Sequence, residues 1–149
     1  YQLGNMDEAI RAYQKALELN PEDADAWFQR GNALYRTDNY TAAIKSYDAA
    51  LSLNPDDVGA LFQVGNAFYA LRTYEKALDY YDKALAIRTD DENILNNKAV
   101  VLRKLERYEE ALECCDTLLS LNPNSARYHF NKSKTLEAMG HQTKGDDGQ

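Results

Sequence analysis

The chain has 149 residues, of which 28% are charged and 44% hydrophobic, a composition typical of a globular domain with its own core. Its formal net charge of −7 argues against a nucleic-acid partner, because a phosphate backbone binds a basic surface. No apolar run approaches the roughly 20 residues that a membrane-spanning helix needs, so we expect no membrane partner either.

The sequence repeats itself with a period of 34 residues, the length of a two-helix repeat. Shifting residues 24–57 forward by one period places Gly31 on Gly65 and Tyr47 on Tyr81. One such hairpin cannot bury its own apolar face, so the copies must stack on one another. We therefore predict a repeat array with full copies at 24–57, 58–91 and 92–125.

Residues 1–23 are predicted to be a partial copy. Tyr1 aligns with Tyr69 without a gap, so the chain begins near the end of a first helix. Residues 7–19 then form the second helix of that copy. We expect this second helix to lack its hairpin partner, as in a fragment of a longer array. The face left open is the one around Ala9, Tyr13 and Ala16.

Each full copy is predicted to contain two helices joined by a turn. Trp27, Gly31 and Leu34 share one face of the first helix, since they are spaced four and three apart. We expect helices near residues 25–37, 41–53, 58–71, 75–87, 92–105 and 109–121. At 89–91 the second copy has Thr-Asp-Asp in place of a proline motif, and these residues can still cap the next helix.

The array is predicted to end with a capping helix over residues 126–140. Only the first helix of a further copy is recognisable there, and it is more polar than its counterparts, as the exposed end of an array requires. The missing second helix would need alanine where Gly145 stands. We predict a disordered tail over residues 141–149.

The repeated pattern resembles that of the tetratricopeptide repeat family, W-x2-L-G-x2-Y followed by A-x3-F, A and P. The matching residues of the first full copy are Trp27, Gly31, Ala43, Tyr47, Ala50 and Pro55. The resemblance extends from residue 1 to about residue 140. It implies an all-α fold, a right-handed superhelical solenoid of antiparallel helix-turn-helix repeats. Three full repeats would be flanked by a half-repeat at each end, forming a single array over residues 1–140.

The resemblance also implies a concave groove, lined by the first helices, that binds peptides. The side chains expected there are Phe28, Gln29, Asn32, Tyr35, Phe62, Gln63, Asn66, Tyr69, Asn97, Arg103, Arg127, Asn131 and Lys134. Carboxamides both donate and accept hydrogen bonds, so we expect the amides to hold a peptide backbone and the aromatic rings to shape apolar pockets. The same periodicity also fits amides that satisfy neighbouring backbone groups and phenylalanines that pack between copies.

One subclass of the family grips the C-terminal carboxylate of chaperone tails with two lysines, two asparagines and an arginine. Asn66 and Asn97 match that clamp and Arg127 stands at a lysine place, but Phe62 and Asn131 replace the other charged members. Since a carboxylate needs charge-assisted contacts, we do not expect this clamp here. Two alternatives remain for the basic stretch of Arg103, Lys104, Arg127 and Lys134: a different anionic contact, or ordinary solvated charge.

No catalytic or metal-binding pattern is recognisable, so we predict no enzyme activity, no cofactor and no metal. His129 takes a core-facing place on the capping helix, where we expect a packed or half-exposed imidazole. Cys114 and Cys115 are adjacent on a helix and make a poor disulfide. Cys115 takes the place of Tyr47, so we expect it to fill the core as a reduced thiol, which suits a cytoplasmic protein.

The sequence therefore favours a protein–protein interaction scaffold that binds an extended peptide segment. Two alternatives stay open: a homo-oligomer formed through the N-terminal helix, and a targeting domain of a larger, catalytic parent protein.

Overall fold

A computed structural model describes the backbone of residues 2–147 and the side chains of residues 4–141, and its regular elements in that range are all α-helices. They are α1 (Gln2–Leu19), α2 (Ala24–Arg36), α3 (Tyr40–Leu53), α4 (Val58–Ala70), α5 (Tyr74–Ile87), α6 (Glu92–Lys104), α7 (Tyr108–Leu121) and α8 (Ala126–Asp147). Helices α2 to α7 begin and end within one residue of the positions predicted from the sequence.

The chain divides into two compact units between Ile87 and Arg88. Unit 1 contains α1 to α5, and each of these helices packs against the next. Unit 2 contains α6 to α8, where α7 packs on both of its neighbours and α8 also touches α6. The boundary falls at the end of the second copy, next to the Thr-Asp-Asp stretch that replaces the proline motif. The boundary therefore lies inside the single array predicted over residues 1–140.

An aspartate begins the first helix of every full copy. The side chains of Asp23 and Asp57 each accept a hydrogen bond of 3.1 Å from the third backbone N–H that follows. Asp91 does the same at 3.2 Å, which confirms that the residues replacing the proline motif cap α6. Each cap satisfies a backbone donor that the helix itself leaves unpaired, worth about 1 kcal/mol.

The turn inside each full copy contains one residue in the left-handed conformation. These residues are one period apart, Asp38, Arg72 and Glu106, with φ of 63°, 62° and 60°. None is glycine, although glycine adopts this conformation at the least cost. The left-handed conformation is adopted despite this cost because it ends the first helix and reverses the direction of the backbone.

A tyrosine ring packed on a glycine forms the centre of each full hairpin in unit 1. A Cβ atom built on Gly31 would lie 2.6 Å from Cε1 of Tyr47, and one built on Gly65 would lie 2.6 Å from Cε1 of Tyr81. Both rings are completely buried. Only glycine fits at these two positions, because a methyl group would occupy space that the tyrosine ring fills.

The third copy carries a smaller pair at the same two positions. Ala99 replaces the glycine and Cys115 replaces the tyrosine, and both are buried. Cys114 is buried as well, and both cysteines remain thiols, as predicted. Burial raises the pKa of the Cys115 thiol, which keeps it protonated and unreactive.

Helix α1 differs from the prediction, which placed a turn between a truncated first helix and residues 7–19. In the structure α1 is continuous from Gln2, and Gly4 has no positive φ although it aligns with the left-handed Asp38. Glycine adopts the right-handed helical conformation as readily as the left-handed one, so Gly4 does not by itself enforce a turn.

Helix α8 also differs, because it passes through Gly140 and ends at Asp147 instead of ending near residue 140. Residues 141–147 are therefore helical where a disordered tail was predicted, while residues 148 and 149 lie outside the described range. A glycine inside a helix costs only about 1 kcal/mol relative to alanine, and no proline follows to stop the helix.

We predict that Gly65→Ala lowers the free energy of unfolding by about 1–3 kcal/mol, because the added methyl overpacks the Tyr81 ring. The matched control is Gly140→Ala, where a built Cβ meets nothing within 4 Å. That change should raise stability by about 0.5–1 kcal/mol through helix propensity. Urea unfolding followed by circular dichroism measures both. A Gly65→Ala protein as stable as the control would contradict the packing argument.

Candidate functional site

The structure divides the predicted groove residues between the two units. Unit 1 holds the residues of α2 and α4: Phe28, Gln29, Asn32, Tyr35, Phe62, Gln63, Asn66 and Tyr69. Unit 2 holds those of α6 and α8: Asn97, Arg103, Arg127, Asn131 and Lys134. All eight in unit 1 are half-buried, whereas Arg127 and Lys134 in unit 2 are exposed.

The amide side chains of Asn32, Gln63 and Asn66 in unit 1 are joined by hydrogen bonds. We call these three side chains the amide row. Nε2 of Gln63 on α4 donates to Oδ1 of Asn32 on α2 at 3.5 Å. Nδ2 of Asn66 donates to Oε1 of Gln63 at 2.9 Å. The row therefore continues from the first helix of one copy to the first helix of the next.

A buried tyrosine hydroxyl anchors the amide row at each end. The hydroxyl of Tyr47 donates to Oδ1 of Asn32 at 2.7 Å, and that of Tyr81 donates to Oδ1 of Asn66 at 2.5 Å. These are the same tyrosines that pack on the glycines of the core. Burial raises the pKa of Tyr47, so its hydroxyl stays protonated and remains a donor.

The tyrosine contacts decide which atoms the amide row presents. The carbonyl oxygens of Asn32 and Asn66 accept from the hydroxyls, so their N–H groups point the other way. The amide nitrogen of Asn32 has no acceptor among the residues that the structure describes. The N–H groups of Asn32 can therefore donate to a ligand, and they are complementary to the carbonyl oxygens of a peptide backbone.

The phenylalanines beside the amide row also belong to the packing between helices. The ring of Phe28 lies 5.7 Å from the ring of Tyr47, and its Cζ is 3.7 Å from a Cβ built on Gly59 of α4. The ring of Phe62 lies 5.9 Å from that of Tyr81. Phe28 therefore packs within its own copy and against the next, whereas the contact of Phe62 with Tyr81 lies within one copy. Both side chains are half-buried, which leaves part of each accessible.

Two further tyrosines lie at the ends of the first helices. Tyr35 packs edge-on against Tyr40 with ring centroids 5.2 Å apart, and Tyr69 packs against Tyr74 at 5.7 Å. Burial, followed by the negative charge of Asp38, raises the pKa of Tyr35. These rings extend the aromatic surface to the ends of α2 and α4.

In unit 2 a shorter amide contact joins α6 and α8. Nδ2 of Asn131 donates to Oδ1 of Asn96 at 2.6 Å, and Asn96 is only 4% exposed. Nη1 of Arg103 reaches the backbone oxygen of Asn131 at 3.4 Å. Asn131 is therefore part of the packing between α6 and α8, and Arg103 is fixed beside it.

His129 is exposed, so its predicted core-facing position is wrong. Its Nε2 lies 2.8 Å from the carbonyl oxygen of Pro123, to which it donates. Trp27, at the same repeat position, donates from Nε1 to the carbonyl oxygen of Pro21 at 2.9 Å. The position favours a ring N–H that closes the loop before a first helix, and the short imidazole makes that contact from the surface.

The sequence did not predict the hydroxyls of Tyr47 and Tyr81 as parts of the site. It placed both residues in the core because of their spacing, where the family pattern has phenylalanine. A signal was nevertheless available. A buried tyrosine needs a hydrogen-bond partner, and an asparagine stands at the same place on the facing helix of both copies.

The part of the chain that the structure describes contains no group of three histidine, cysteine, aspartate or glutamate side chains arranged to hold a metal ion. Within the same part, each helix is too short or too polar to cross a bilayer.

We predict that Tyr47→Phe costs about 1 kcal/mol near neutral pH, through the lost hydrogen bond to Asn32. The folded-state pKa of Tyr47 lies above the unfolded value of 10.0. The contribution of the hydroxyl is therefore complete below pH 10 and is lost as the pH rises above it. Between about pH 9 and 11 the stability of the parent relative to the variant should fall by about 1.4 kcal/mol, so the deficit of about 1 kcal/mol is abolished and slightly reversed at pH 11. Urea titrations at both pH values measure this, and an unchanged deficit would refute it.

Comparisons with known proteins agree with this architecture. One sequence model of the tetratricopeptide repeat matches residues 1–57 and 28–92, and a second model matches residues 93–125. The comparison with curated protein sequences gave no match.

Three solved structures illustrate the similarity in fold. A structure of MamA is 23% identical, with a TM-score of 0.87 over 92% of this chain and 80% of that one. MamA residues 41-end from Desulfovibrio magneticus RS-1 are 20% identical, with a TM-score of 0.79 over 98% and 88%. YrrB, described as a TPR protein with an unusual peptide-binding site, is 28% identical, with a TM-score of 0.75 over 89% and 69%.

The matched repeats cover more than half of the chain, and the helical architecture of its structural neighbours confirms an all-α solenoid fold. Folds of this type are typical of non-catalytic interaction scaffolds. The chain belongs to the tetratricopeptide repeat family, whose members serve as scaffolds for protein–protein interaction.

Proposed function

We propose that this chain binds an extended segment of a partner protein along the amide row of unit 1. The observation that carries the proposal is the anchoring of Asn32 and Asn66 by tyrosine hydroxyls, which turns the amide N–H groups away from the core. A row of fixed donors pays little entropy when it binds, because the side chains are already held in one orientation.

An extended backbone is the ligand that such a row fits best. The carbonyl oxygens of an extended chain recur regularly and are present whatever the sequence, so donors on successive copies can hold it without selecting side chains. Phe28 and Phe62 stand on one side of the row and Tyr35 and Tyr69 at the helix ends, half-buried, where they supply apolar contact. Gln29 lies one turn before Asn32 and adds a further amide to the same surface.

The polar residues of unit 2 form a second contact region in this proposal. Asn97 and Asn131 occupy the repeat position of Gln29 and Gln63, and Arg103, Arg127 and Lys134 add positive charge. The peptide-binding site named for YrrB supports a peptide ligand for this fold, without identifying it here. The buried thiols of Cys114 and Cys115 suit the reducing conditions of the cytoplasm, which we propose as the location.

The test begins with peptides selected on the purified chain from a random library. We predict that Gln63→Glu weakens the selected peptide at least tenfold. The change exchanges donors for acceptors at constant size, and the new carboxylate repels backbone carbonyls. Fluorescence anisotropy measures the affinity, and circular dichroism checks the fold.

The matched control is Gln14→Glu, the same chemical change at an exposed glutamine of α1. It should alter the affinity by less than twofold. Equal affinities for Gln63→Glu and Gln14→Glu would exclude the amide row as the binding site.

A second candidate function is self-association through α1. Ala9 and Tyr13 are half-buried in α1, whereas Ala43 and Tyr47, at the same repeat positions in α3, are 0% exposed. The difference leaves an apolar strip of α1 accessible, and a second copy of the chain offers a surface that can cover it.

For this second candidate we predict a mass that rises with concentration in multi-angle light scattering. Tyr13→Arg should restore a monomer, because it places a charge in the centre of the strip. Ala12→Arg adds the same charge at an exposed neighbouring position and should leave the association intact. A strict monomer at the highest attainable concentration would rule the candidate out.

A further inference from the structure

A cavity of about 400 Å³ lies in unit 2, between the C-terminal end of α6 and the middle of α8. Its walls include Arg103 and Lys104 from α6, Tyr108 from α7, and Phe130, Lys134 and Glu137 from α8. We call this cavity the basic pocket. Three permanent cations face one carboxylate there, although the whole chain carries a net charge of −7.

The cations of the basic pocket differ from others in unit 2 in their ion pairing. Arg107 is paired with Glu110 at 2.9 Å, and Lys132 with Asp116 at 2.8 Å. Arg103, Lys104 and Lys134, by contrast, make no ion pair with any carboxylate among the described side chains. Unpaired cations gathered at one concave site create a local positive potential that a mobile anion can neutralise.

The pocket also has an accessible apolar wall. The ring of Phe130 is 60% exposed, an unusual exposure for a large aromatic side chain. Nζ of Lys134 lies 5.5 Å from the centre of that ring, so the cation and the aromatic surface are presented together. Tyr108 is buried behind them and closes the wall.

We propose that the basic pocket is an oxyanion subsite, which holds an acidic side chain of the partner segment while Phe130 contacts an adjacent apolar one. The inference rests on the proposed peptide-binding function and adds a preference for acidic, apolar sequences. A carboxylate and a phosphate share the required chemistry, and the experiment separates them. Lysine ammonium groups on exposed stems suit either anion.

This subsite differs from the carboxylate clamp discussed above. That clamp would use Asn66, Asn97 and Arg127 together with positions that are uncharged here. The basic pocket instead combines the C-terminal end of α6 with the middle of α8, and it lies entirely within unit 2. Its three cations are present in this chain, so the subsite does not depend on the residues that the clamp lacks.

The experiment uses the whole chain and three fluorescein-labelled peptides of equal length. One alternates leucine with glutamate, one leucine with phosphoserine, and one leucine with glutamine. We expect the glutamate peptide to bind at least tenfold more tightly than the glutamine peptide at low salt, and less tightly as salt screens the charges. Tighter binding of the phosphoserine peptide, through the same residues, would identify phosphate as the preferred anion.

Lys104→Gln combined with Lys134→Gln should remove most of the acidic preference, lowering the affinity for the glutamate peptide about tenfold. The matched control is Lys132→Gln, on the same helix as Lys134 but paired with Asp116. This variant should change the affinity for the glutamate peptide less than twofold. Equal binding of the glutamate and glutamine peptides, or equal effects of the double lysine variant and Lys132→Gln, would overturn the inference.

Gln63→Glu separates this subsite from the proposed function. If that variant binds the peptides normally while the double lysine variant does not, the amide row is excluded and the oxyanion subsite stands. If the reverse holds, the subsite is excluded and the amide row stands.

Discussion

The packing of a tyrosine ring on a glycine is the contact on which the rest of unit 1 depends. It brings two antiparallel helices together closely enough that the hydroxyl at the far end of the ring reaches an asparagine on the facing helix. The ring of Tyr47 fills the core, and its hydroxyl fixes Asn32 at the surface. Core and binding surface are thus joined by one side chain, and a change that moves the ring also moves the amide.

The third copy shows what happens when this contact is absent. Cys115 stands in place of the tyrosine, and Val100 stands where the other copies have asparagine. A cysteine cannot span the distance to the surface of the facing helix, so an asparagine there would have no anchored partner. Among the predicted groove residues of unit 2, Arg127 and Lys134 are exposed, and the exposed ring of Phe130 lies beside Lys134. The two units therefore present different chemistry, donors in one and positive charge in the other.

The sequence predicted the helices well because their ends are set locally. Aspartate caps and left-handed turn residues recur at every period, and each acts within a few residues of itself. The groove face that the spacing assigns to each unit stays a prediction. The spacing did not predict the bonds of Asn32 to Tyr47 and Gln63, because periodicity gives the direction of a side chain but not what it meets. The continuous α1 was missed because Gly4, at the turn position, adopts the helical conformation as readily as the left-handed one.

Local arrangement, not net charge, decides what this chain is suited to bind. A chain with a net charge of −7 would be expected to repel an acidic partner at long range. Salt, however, screens the interaction between exposed charges that lie farther apart than a Debye length of about 8–10 Å. A bound ligand therefore responds mainly to the groups beside it. The amide row presents N–H donors and the basic pocket presents unpaired cations, and both are complementary to electron-rich oxygen atoms. Backbone carbonyls are complementary to the amide row and carboxylates to the basic pocket, so each surface suits an oxygen-rich ligand although the chain as a whole is acidic.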